Sequence, residues 1–177
     1  MGTLSTVGGT LSTVGGTLSE LGSPAEFSPL DFEPSLWLDA SQLTGLSDAD
    51  PVGSWTDLSG NDRHAAQTST KRPTYRTGVL NGLPVIRFDG SNDCLVTPSF
   101  GLGAFTLVAV FRMSGTAGML CEHGPNAATT DGHYIYGTQN ATFQARRAGT
   151  ALSGNLAINW ATDNTWRLLT ARYDGTA

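Results

Sequence analysis

The sequence predicts an all-β chain, an antiparallel β-sandwich preceded by an extended N-terminal arm. Three observations carry this expectation. Charged residues make up only 14% of the 177, while glycine is abundant at 22; that balance suits short strands joined by tight turns. From Ser35 onward, short apolar runs alternate with Gly, Asn, Asp and Pro turn signals. No stretch holds a long helical period.

Residues 2–22 are a threefold repeat: Gly-Thr-Leu-Ser-Thr-Val-Gly at 2–8 and 9–15, then Gly-Thr-Leu-Ser-Glu-Leu-Gly at 16–22. Its apolar positions, Leu4, Val7, Leu11, Val14, Leu18 and Leu21, alternate steps of three and four, the spacing of a coiled-coil seam. The Gly-Gly junctions oppose a free helix, since each helical Gly costs about 1 kcal/mol relative to Ala. A flexible linker is one reading of this composition. The regular Leu and Val favour the other, an assembly arm that orders against neighbouring subunits. Residues 23–34 hold three prolines and read as an extended connector.

The sandwich is expected over 35–177. Residues 35–40 (Ser-Leu-Trp-Leu-Asp-Ala) are its first strand, and 52–57 lead into a turn at 58–62 (Leu-Ser-Gly-Asn-Asp). Residues 83–89 alternate Ile86 and Phe88 with Val85, Arg87 and Asp89, and 94–97 follow a turn at 90–92. Residues 105–113 (Phe-Thr-Leu-Val-Ala-Val-Phe-Arg-Met) form the strongest strand, nearly continuous in apolar character and so expected at a central position. Strands at 119–121, 133–136, 142–146 and 166–173 complete the set.

The formal net charge is −5, and nine of the ten basic residues are scattered arginines. This argues against a nucleic-acid surface, which normally shows a basic face. No apolar run reaches the roughly 18–20 residues that span a bilayer, and no ordinary signal peptide is legible. Two cysteines, Cys94 and Cys121, cannot build a disulfide framework; buried free thiols are the favoured reading and a single disulfide the other.

Four ordered motifs are similar to a known family: Leu36-Trp37-Leu38-Asp39-Ala40, then Trp55 to Ala65 (Trp-Thr-Asp-Leu-Ser-Gly-Asn-Asp-Arg-His-Ala), Arg72-Pro73-Thr74-Tyr75, and Asn81 to Gly90 (Asn-Gly-Leu-Pro-Val-Ile-Arg-Phe-Asp-Gly). The series resembles the laminin-G-like, concanavalin-A-like jelly rolls of phage tail and head-fibre proteins and of bacterial surface proteins. The resemblance implies further strands beyond Ala177, supplied by more chain or by a neighbour through strand addition.

The family's glucanases use clustered carboxylates, and glycoside hydrolysis needs two flanking the bond. The four glutamates lie at 20, 26, 33 and 122, the first three in the arm or connector, so no enzymatic activity is expected. Cys121, Glu122, His123 and His133 lack the paired spacing of a zinc site. The resemblance implies structural calcium instead, with Asp57, Asn61 and Asp62 of one Gly-containing turn as ligands; the same residues are also what turns favour. Asp89 and Asp93 bracket a second such turn. Sugar binding would use His133, Tyr134, Tyr136 and Trp160 as platforms, although core packing explains most sandwich aromatics.

Taken together, these features lead to the expectation of a phage structural, fibre or decoration component, a virion protein assembled in the host cytoplasm. It would be a homo-oligomer anchored to other virion proteins by its arm, with a lectin-like sandwich facing glycans. The alternative is a secreted bacterial lectin or adhesin that polymerises at the cell surface.

Overall fold

The computed structural model describes residues 28–114, 118–124, 132–137, 141–147, 150–151, 156–158 and 164–174. The arm residues Leu4, Val7, Leu11, Val14, Leu18 and Leu21, and Trp160, lie outside these described residues. Within them the chain is all-β, with short antiparallel sheets, two 3-10 turns and no α-helix.

The 3-10 turns are held by their own side chains. Ser28 Oγ accepts from Leu30 N–H at 3.2 Å and Asp31 accepts from Ser28 N–H at 3.1 Å, opening the turn Pro29–Phe32. Asp39 accepts from both the N–H and the hydroxyl of Ser41 at 2.8 Å, opening Ala40–Gln42. Both use the N-cap chemistry of short polar side chains.

Residues 35–40, expected as a strand, contribute only the single bridge Leu38↔Asp57. Their backbone is engaged elsewhere: Trp37 N–H donates to the Asp57 carboxylate at 3.0 Å and Trp37 C=O accepts from Leu58 N–H at 2.8 Å. A side chain thus takes a donor that a ladder would otherwise use. Residues 94–97 are likewise reduced to the bridge Ala66↔Val96.

Strands β1 (Ser54–Trp55) and β2 (Ala65–Ala66) pair across the 56–64 loop. Strands β3 (Thr74–Leu80) and β4 (Leu83–Arg87) form a hairpin closed by Asn81-Gly82. Asn81 has φ 52 and Gly82 φ 80, the paired left-handed backbone of a type I′ turn, which matches strand twist. Around these strands Val52, Pro73, Ala65 and Tyr75 are buried. Backbone bonds from Val52 N–H to Pro73 C=O (2.8 Å) and from Tyr75 N–H to Asp50 C=O (2.9 Å) tie the hairpin to the preceding loop.

The second half begins with β5 (Phe105–Phe111), which pairs antiparallel over its whole length with β11 (Arg167–Tyr173). Strands β6 (Gly118–His123), β7 (Gly132–Gly137), β8 (Ala141–Arg147) and β10 (Leu156–Ile158) form the larger sheet in the order β10-β8-β7-β6, with β9 (Thr150–Ala151) beside β8. Burial in β5 alternates rather than staying continuous. One face of the β5–β11 ladder carries Phe111, Leu169 and Ala171, with Leu107 and Ala109 beside them. Leu120 and Cys121 of β6 pack against that cluster. The opposite face leaves Val108, Val110 and Leu168 exposed, so β5 does not have the doubly covered position its apolar run suggested.

Candidate functional site

The most developed polar constellation is built on the loop between β1 and β2. The loop must turn back within nine residues, and Asp57-Leu58-Ser59 has the short-side-chain pattern that bonds its own backbone. Asp57 is 6% exposed. Its Oδ1 accepts from Trp37 N–H (3.0 Å) and Ser59 N–H (2.9 Å); its Oδ2 accepts from the Ser59 hydroxyl (2.8 Å) and Arg63 N–H (3.0 Å). Burial pushes this carboxyl's pKa up, but the four donors outweigh it and bring the group from the ordinary 3.8 to about 2.

The clasp extends outward from this carboxylate. Asp57 N–H donates to His64 Nδ1 at 3.0 Å, which fixes that ring nitrogen as the unprotonated acceptor. Asn61 Nδ2 donates to Pro34 C=O (3.2 Å) and to Ser59 Oγ (3.0 Å), and Arg63 Nη1 donates to Ser35 C=O at 2.6 Å. The Arg63 guanidinium also lies 4.2 Å from the centre of the Phe100 ring, a cation–π distance. Phe100 C=O accepts from His123 Nε2 at 2.7 Å, and the two rings meet edge-on at 5.3 Å. One loop therefore ties the connector, the β1–β2 pair, Phe100 and strand β6 together.

Of the proposed cation ligands, Asp57 and Asn61 meet in this network, while Asp62 stands at the exposed corner with φ 55. Asp57's two oxygens each already hold two donors, so a cation there must displace or share them. Among the described residues, no three His, Cys, Asp or Glu side chains gather as a metal-ligating group. The second acidic turn is a smaller clasp of the same kind. Asp89 Oδ1 accepts from the N–H groups of Ser91 (2.8 Å), Asn92 (3.1 Å) and Asp93 (3.2 Å), which lower its pKa, and Asp93 accepts from Asp89 N–H at 2.9 Å.

His133, Tyr134 and Tyr136 are consecutive or alternate positions of β7, between β6 and β8. Tyr134 stands opposite Glu122 and Gln144, Tyr136 opposite Met119 and Thr142, and His133 opposite His123 and Ala145. Positions 134 and 136 share a register parity that 133 does not. Cys94 and Cys121 are free and half-buried, and Gln67 Nε2 donates to Cys94 Sγ at 3.2 Å.

Turn chemistry marks Asp57, Asn61 and Asp62 in the sequence but not Ser59, Arg63, His64, Phe100 and His123 as members of the same network. The Asp-x-Ser pattern was a usable signal for Ser59. Nothing local marks Phe100, which reaches the loop only through the fold. Comparison with protein-family models, with curated proteins and with solved structures finds no match.

Proposed function

We propose that this chain is a non-enzymatic assembly component, a structural, fibre or decoration protein of a phage particle that is anchored by its repeat arm and displays a lectin-like jelly-roll sandwich. The observation that supports this most is the fate of its structured carboxylates. Asp57 is held below the ordinary carboxylate range by Trp37 N–H and by N–H and hydroxyl donors of its own loop, and Asp89 is lowered by N–H groups of its turn. A general acid for glycoside cleavage needs the opposite, a raised pKa and a free proton. These groups brace loops. The packing of Leu120 and Cys121 onto the β5–β11 ladder supports a sandwich arrangement of the sheets. The resemblance of the four motifs supplies the particle setting, and glycans remain the proposed ligand of the displayed face.

Mass spectrometry of purified particles tests the reading. The proposal expects the chain in stoichiometric amounts in intact particles. Its absence from particles, with the chain recovered from cell surfaces, would instead support the secreted adhesin.

A further inference from the structure

The outer face of the β5–β11 ladder carries an exposed apolar strip that none of the described residues covers. Val108 is 64% exposed, Val110 59% and Leu168 70%. Leu168 stands opposite Val110, Thr170 opposite Val108, and Arg172 opposite Thr106; facing residues of an antiparallel pair project to the same side. The strip is therefore aliphatic along its middle, threonine-lined, and has exposed Arg172 at one end. Just beyond its other end, the Arg112 guanidinium sits 5.0 Å from the centre of the Trp166 ring.

Size decides what kind of partner fits. The three aliphatic side chains expose on the order of 300 Å², within the range of functional patches on monomers. A globular partner normally covers roughly 800 Å² on each side, so the strip suits a peptide segment better than a second folded domain. We infer that its occupant is a heptapeptide repeat from the arm of a neighbouring copy of this chain, an inference that rests on the assembly reading above. Each repeat has seven residues, as do β5 and β11, so an extended repeat and the strip both measure about 23 Å.

The chemistry matches as well. Apart from Glu20 the three repeats contain only Gly, Thr, Leu, Ser and Val, so burying one against Val and Thr desolvates little charge. Leu18 and Leu21 are three apart, and docking in a polyproline-II-type conformation, with three residues per turn, would put both against the strip. That third repeat alone carries an acid, Glu20, between its leucines, and the strip offers arginines near both ends. It is the repeat assigned to the strip. A neighbour is assigned because, on the assembly reading above, the arm orders against other subunits, so the third repeat of one copy engages the strip of the next. An arm of 22 residues reaches up to about 75 Å when extended, enough to bridge between subunits.

The test uses the full chain with a photo-crosslinking p-benzoyl-phenylalanine at position 18, mixed with an isotopically labelled copy. The expected result is intermolecular cross-links to 106–112 and 166–172, falling at least fivefold when the receiving copy carries Val108→Thr, Val110→Thr and Leu168→Thr. These exposed, β-compatible replacements are expected to leave the melting temperature within about 2 °C. Cross-links that are only intramolecular, or that map elsewhere, would overturn the inference. Sedimentation separates the two levels of the argument. If Leu18→Ser with Leu21→Ser dissociates the assembly and the threonine variant does not, the strip is wrong and the assembly arm stands. If neither pair of changes alters sedimentation, the assembly arm fails and the strip with it.

Discussion

Replacing Asp57 with asparagine isolates the clasp that ties Trp37 to the loop between β1 and β2. The amide keeps one oxygen, sufficient for Trp37 and Ser59 N–H, but sets an NH₂ where Arg63 N–H now donates at 3.0 Å. Hydrogen bonds to a charged acceptor contribute about 1.5–3 kcal/mol each, and a donor left unpaired in a buried loop adds to the loss. The expected cost at neutral pH is about 2–4 kcal/mol, or roughly 5–15 °C in melting temperature for a chain of this size.

The pH dependence follows from the same bonds. The folded-state pKa of Asp57 is lowered from 3.8 to about 2. Its contribution is therefore complete above about pH 4 and lost as pH falls through about 2. At about 1.4 kcal/mol per pKa unit the shift corresponds to about 2 kcal/mol at full value. Partial solvent screening around the loop reduces that to about 1–2 kcal/mol. Calorimetry of wild type and Asp57→Asn between pH 7 and pH 2 should thus show two curves that converge on acidification. A variant within about 0.5 kcal/mol of wild type at pH 7, or a gap that does not narrow in acid, would refute the account of the clasp.

Three further outcomes follow from the same geometry. His64→Ala removes the acceptor for Asp57 N–H and should cost about 1 kcal/mol in thermal unfolding, whereas His64→Asn, with an oxygen near the Nδ1 position, should recover most of it. Gly82→Ala forces a Cβ onto backbone at φ 80 in the β3–β4 turn and should destabilise by about 1 kcal/mol by denaturant titration; equal stability would contradict the type I′ assignment. Unfolding without reductant should expose two titratable thiols per chain, because Cys94 and Cys121 are both free; none would mean that the pair is oxidised to a disulfide.

The strands with uninterrupted apolar or aromatic character were legible in the sequence. Those expected at 105–113, 119–121, 133–136, 142–146 and 166–173 correspond to β5, β6, β7, β8 and β11. Strand β3 was not legible, because Arg76-Thr77-Gly78 interrupts any apolar alternation and a bulge follows Arg76. The Asn81-Gly82 dipeptide, a strong local hairpin signal, would have located its turn. The expected strand at 35–40 failed for a different reason: its pairing was taken over by Asp57, a residue twenty positions away in sequence. The central position expected for β5 failed because apolar content alone does not say which face is covered. The candidate site was half legible. Turn chemistry marked Asp57 and Asn61, but the contacts that make the loop a junction come from Phe100 and His123, which no spacing rule connects to it.

The central claim is that the chain is built to assemble through its arm, and sedimentation velocity of the full chain tests it most directly. Wild type is compared with a chain in which Leu4, Val7, Leu11, Val14, Leu18 and Leu21 are all replaced by serine. The account predicts oligomers for wild type that fall to a single monomeric boundary in the variant, with the melting temperature unchanged. An identical distribution of species for the two chains would contradict it.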